Sequence, residues 1–194
     1  MHANLQRELR KAIADEVFDV TASGVFFPKQ GVLAGGEYFG RVNGGQWEKE
    51  GDNLIVDEGI AHILNVALGG KAKTAAYYLA LFSGSANPAA NWTAASFTAA
   101  ANEIISQSEG YTAATRPTWT PSDTAARAID NMSAVASVTF ATAAQVNVTG
   151  AALLTSSVRG GTTGVLVSAS KYAAARTFQN NDTYDIGYRL SLTV

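Results

Sequence analysis

Cysteine is absent from this chain of 194 residues. That excludes a disulfide scaffold, a zinc–thiolate site and a cysteine nucleophile. Histidine is nearly absent, with His2 at the start and His62 the only other. A histidine-built metal centre is therefore not expected, and no metal or cofactor motif is recognised. Charge is scarce as well: 15% of residues are charged, with a net charge of -2, where about 25% charged is usual. Binding to nucleic acid or an anionic membrane needs concentrated Lys and Arg, which this balance does not supply. No run of about 18 apolar residues is present, so no membrane-spanning helix is predicted. Met1 to Glu8 lack the apolar core of a signal peptide, which predicts use without Sec export.

What is there is small and β-tolerant. Ala, Thr and Ser fill long stretches, punctuated by 18 Gly and only 4 Pro. The length suits one domain, or one domain plus an arm. Residues 4–18 carry Leu5, Leu9, Ile13 and Val17 every four positions, with charged residues on the other faces. This predicts an amphipathic helix, so residues 1–20 read as a terminal arm with one face to bury.

From residue 21 to 194 the chain reads as a single β-domain. Asn43-Gly44-Gly45 between Tyr38–Val42 and Gln46–Glu48 predicts a hairpin, because Asn-Gly accepts positive φ. Glu48 to Asp52 read as a solvated connector, since their acids lack calcium-loop spacing. Asp57 reads as the N-cap of a helix running from Glu58 to Leu68, with Ile60, Ile63, Leu64 and Ala67 on its packed side and Gly69-Gly70 as its stop. His62 beside that face reads as structural.

Ala76–Phe82 reads as a buried strand. Residues 84–130 are irregular, with Trp92, Phe97, Tyr111 and Trp119 among small residues. A long segment of this kind predicts a flap carrying contact aromatics. Ser133–Phe140, Gln145–Thr155 and Gly164–Ser170 read as strands, with a turn at Arg159–Gly164. The last strand alternates strictly, with Tyr184, Ile186, Tyr188, Leu190, Leu192 and Val194 on one face. About eight strands and one main helix predict a mainly β protein, a jelly-roll-like β-sandwich or barrel with an N-terminal helical arm.

Catalytic spacing is not found. His62 has no Gly-x-Ser-x-Gly partner, and the glycines at 160–164 lack the Lys-Ser/Thr of a phosphate loop. No pair of carboxylates is singled out by spacing. The reading is not that of an enzyme.

Particular residues carry a resemblance. Asn53-Leu54-Ile55-Val56-Asp57-Glu58-Gly59-Ile60, the helix to Leu68 and Tyr77-Tyr78-Leu79-Ala80-Leu81-Phe82 follow an N-L-V-x-x-E-G-L … W-Y-x-G-L-F pattern. Tyr77 stands where that pattern has Trp, and Ala80 where it has Gly. Ala114–Trp119 and Gly160–Leu166 add to the match. Residues 53–194 resemble small structural proteins of tailed bacteriophages, among them capsid decoration (cement) proteins; the first 50 residues do not share the likeness.

The resemblance implies a jelly-roll-like domain on the outer surface of the virion head. It would bind the major capsid protein and itself, as a homodimer or homotrimer. Leu5, Leu9, Ile13 and Val17 in the arm and Trp92, Phe97, Tyr111 and Trp119 in the flap are then the expected interface residues. The alternative is a tail-fibre or baseplate domain that recognises a host-surface glycan through Trp92 or Trp119.

Overall fold

The computed structural model describes residues 18–20, 23–24, 26–28 and 33–193. The chain divides into two units. In the first, Met1–Leu33 with Thr193–Val194, strands β1 (Phe18–Val20) and β2 (Phe26–Pro28) pair antiparallel. Phe18, the last residue of the predicted 4–18 helix, opens β1. The rest of that helix lies outside the described residues, and with it Leu5, Leu9, Ile13 and Val17.

The second unit, Ala34–Leu192, is a β-sandwich. One sheet runs β4 (Glu48–Asp52), β3 (Leu33–Val42), β13 (Thr183–Thr193), β10 (Ala136–Ala141), β7 (Gly110–Tyr111), with β9 (Ala128–Asp130) also on β13. The other runs β5 (Leu54–Ile55), β12 (Leu166–Phe178), β11 (Val146–Leu154), β6 (Tyr77–Phe82), β8 (Thr118–Trp119). Helix α1 (Asp57–Ala67) lies against β12, and α2 (Ala94–Ala101) packs on the outer face of the second sheet.

Alternation explains the main core. Tyr184, Ile186 and Tyr188 of β13 point inward and are fully buried, facing Leu79, Leu81, Val148, Ala151, Leu153 and Val167 of the opposite sheet. The pattern fades at the strand's end, where Leu192 is exposed. Phe140 and Phe178 stack at 4.1 Å between ring centroids, and such a pair adds about 0.5–1.5 kcal/mol beyond the area buried.

The second sheet is covered on both faces, so β6 and β11 read as continuous apolar runs. Ala80, Phe82, Ala152, Leu154, Leu166 and Ala169 form a second cluster with Trp92, Phe97 and Ala101. Close approach depends on absent side chains. A Cβ on Gly150 would lie 2.1 Å from the Phe82 ring, and one on Gly59 would lie 2.0 Å from the Val167 carbonyl oxygen, where α1 rests on β12.

The predicted hairpin forms at Asn43-Gly44, both with positive φ (49° and 68°). Three expectations are corrected. Glu48–Asp52 is strand β4, not a solvated connector, and Glu50 is only 4% exposed. Its carboxylate is held by Arg176 Nε at 2.9 Å and by the Tyr184 hydroxyl at 3.0 Å, which is why an acid can be buried there. Val56, not Asp57, is the N-cap of α1; Asp57 and Glu58 instead place their charges in the first turn, at the positive end of the helix dipole.

The third correction concerns residues 84–130, which contain a second helix and three short strands. Helix α2 begins at a capping box, with the Thr93 and Ser96 side chains each accepting the other residue's backbone N–H. It ends where Asn102 turns left-handed at φ 53°.

Candidate functional site

One end of the sandwich is open between its sheets. The pocket there has a volume of about 410 Å³. Its floor is branched hydrocarbon from Ile63 (α1), Leu153 (β11), Val167 (β12), Ile129 (β9) and Leu190 (β13). Tyr77 and Trp119 form an aromatic wall, their rings edge to face with centroids 6.1 Å apart. Antiparallel pairing of β6 with β8 puts Tyr77 directly opposite Trp119. The Trp119 indole N–H donates to the Tyr188 carbonyl at 3.1 Å, so the ring is pinned.

Polar groups gather at the mouth: His62, Lys73, Thr74, Thr118, Thr120 and Asp123. His62 Nε2 lies 3.0 Å from the Tyr77 hydroxyl. Burial and the nearby Lys71 ammonium lower its pKa, against a smaller opposing pull from Glu58. Burial likewise raises the Tyr77 pKa. Among the described residues the hydrogen-bond partner of the His62 ring is the Tyr77 hydroxyl, not a carboxylate. The arrangement can hold a molecule by shape and hydrogen bonds. Among the described residues no three His, Asp or Glu come together as a metal site.

A second surface lies on α1. Gly59, His62, Ile63 and Val66 face the sandwich, whereas Ile60, Leu64 and Leu68, spaced four apart, are 47%, 53% and 85% exposed. The predicted packing of Ile60, Leu64 and Ala67 is therefore corrected. The helix is apolar over more than one face, and only the Gly59 side can approach β12 closely. Seven apolar side chains within Gly59–Leu68 are the signal for this, since one stripe about 100° wide cannot accommodate them all.

The aromatics expected at an interface face inward. Trp92 and Phe97 are buried between α2 and the second sheet, and Phe97 meets Phe82 edge to face at 6.1 Å. Tyr111 is fully buried under the Arg159 guanidinium, 3.7 Å above its ring, and burial pushes its hydroxyl up to about 12. Trp119 is buried and reaches the surface only as the wall of the pocket. These four residues are corrected from contact residues to core residues. Sheet faces wide enough to need covering claimed them first.

A buried ion pair ties the same segment down. Arg116 Nε and Nη2 donate to the two Glu103 oxygens at 2.7 and 2.8 Å, with both side chains fully buried. Glu103 also accepts from Thr98 Oγ1 and the Gly160 amide. Arg159 donates to the carbonyls of Ile104, Ser106, Tyr111 and Ala113. The irregular segment is thus bound to residues 156–160 by Arg116, which donates to the Ser156 carbonyl, by Arg159 and by the Gly160 amide on Glu103.

No protein-family model matches the chain, and no curated protein matches it either.

Proposed function

We propose that this chain is a bacteriophage decoration, or cement, protein that binds the outside of an assembled capsid and stabilises it by bridging capsomers. The observation that carries this reading is the exposed Ile60–Leu64–Leu68 stripe on a helix braced by the sandwich. Large apolar side chains in a contiguous exposed row mark an interaction surface. The stripe falls inside the Asn53–Leu68 stretch that resembles phage structural proteins. A jelly-roll winding, self-association as a dimer or trimer and a place on the virion's outer surface belong to the same proposal.

The mechanism is thermodynamic. A subunit with affinity for the lattice and none for separated capsomers stabilises the lattice by mass action. Contacts of roughly 800 Å² per partner, repeated within an oligomer, gain from effective concentration, so each site need bind only modestly. Leu5, Leu9, Ile13 and Val17 enter as a second contact, tested by deleting residues 1–18. The flap aromatics drop out because they are core. Burial of Trp92 between α2 and the second sheet leaves the glycan-binding alternative resting on Trp119, whose ring lines the open pocket.

Antibody labelling of intact virions in electron micrographs tests the proposal. Label over heads supports it, and label confined to tails overturns it.

A further inference from the structure

We propose that the pocket at the open end of the sandwich binds a compact, uncharged aromatic or alicyclic molecule whose one polar group is a hydroxyl. Its volume of about 410 Å³ falls within the roughly 300–1,000 Å³ of small-molecule sites. The floor side chains Ile63, Leu153, Val167, Ile129 and Leu190 are all branched hydrocarbon. A stably held water needs about 2–4 polar partners, and each buried hydroxyl of a sugar needs one; those side chains offer none. Trp119 adds apolar ring surface, because its N–H is already given to the Tyr188 carbonyl. A ligand ring can pack on the Tyr77–Trp119 wall in the same edge-to-face or offset manner as those two rings use. The body of the ligand is therefore an apolar ring.

The mouth favours neither sign of charge. Its lining holds one cation, Lys73, and one anion, Asp123, and neither forms an ion pair with a described residue. The two further charges that act on His62, Lys71 and Glu58, are again one of each sign. His62 itself is neutral at pH 7, since burial and then Lys71 lower its pKa below the ordinary 6.5. An ion entering from water would give up hydration to the hydrocarbon floor and meet no net opposing charge in return. The uncharged form of a given skeleton is thus the one that fits. Thr74, Thr118 and Thr120 line the opening and can exchange hydrogen bonds with a hydroxyl there. Occupancy of the pocket does not depend on the capsid reading.

The probe is 1-naphthalenemethanol, titrated at pH 7 into the full chain and followed by methyl NMR. Saturable shifts of the Ile63, Ile129, Leu153, Val167 and Leu190 methyls are expected, with a dissociation constant of about 0.1–1 mM. The Ile60, Leu64 and Leu68 methyls of the exposed α1 stripe should stay still. The matched ions 1-naphthoate and 1-naphthylmethylammonium should each bind roughly tenfold more weakly. Leu190→Trp fills the floor and abolishes binding while circular dichroism is unchanged. Ala75→Trp, which places an indole at the mouth from an exposed position, does the same and serves if the first variant fails to fold. No saturable shift, shifts at Leu64 and Leu68 in place of the floor, or unchanged binding by the folded blocked variants overturns the pocket. Binding of either ion as tight as that of the alcohol overturns the uncharged class.

Discussion

Among the described residues Arg116 is the largest fully buried side chain, and its charge is matched by Glu103. Removing one partner strands the other in a low-dielectric interior. Arg116→Ala should therefore cost about 3–5 kcal/mol, read as a lowered urea midpoint. His62 acts in the opposite sense. Unfolded, it takes its proton near pH 6.5; folded, burial and Lys71 hold it neutral to a lower pH. Between those two values the unfolded chain binds more protons, so stability falls as pH drops below about 6.5. His62→Gln should remove that part of the decline. A second decline at lower pH remains, because Glu109 and Asp182 have pKa values lowered chiefly by hydrogen bonds from Thr142 and Asn43. Thermal midpoints measured from pH 7.5 to 3 check both steps.

Each element shows how far a local pattern reaches. The alternation of β13 predicted its buried face correctly through Leu190, because a strand's period reports which face is covered. Asn43-Gly44 was readable for the same local reason, since positive φ is a property of two residues. Helix α2 was not readable: Ala94-Ala95-Ser96-Phe97-Thr98-Ala99-Ala100-Ala101 has one large apolar residue, and alanines give weak periodicity. Its one local sign is Thr93-x-x-Ser96, a capping box with Ser in place of Glu or Gln. Nor could spacing show that Glu50 meets Arg176 or that Glu103 meets Arg116, since only the fold sets those distances. The pocket was hidden likewise, its floor being drawn from five separate elements.

Helix α1 carries both proposed surfaces, and two substitutions separate them from its docking. Gly59→Ala should force the helix off the Val167 carbonyl and cost roughly 1–3 kcal/mol, seen in thermal unfolding. Leu64→Ser should change stability by no more than about 0.5 kcal/mol, because the side chain is exposed. It should nonetheless weaken capsid binding, measured by sedimentation with purified shells.

At the largest scale, two cores and the buried Arg116–Glu103 pair brace the Ala34–Leu192 unit. Both sheets share the main cluster, and the outer cluster fixes the 84–101 segment to the second sheet. A braced unit suits the proposed role, since a clamp that deforms transmits little of its binding energy to the lattice. Low charge also fits: a surface carrying few ions is easily covered by neighbours. The central claim is selective binding to an assembled shell, and co-sedimentation of the purified chain with intact capsids and with dissociated capsomers tests it most directly. Saturable binding to capsids, a raised capsid disruption temperature and no binding to capsomers are predicted. Equal binding to capsomers, or no binding to capsids, would contradict the account.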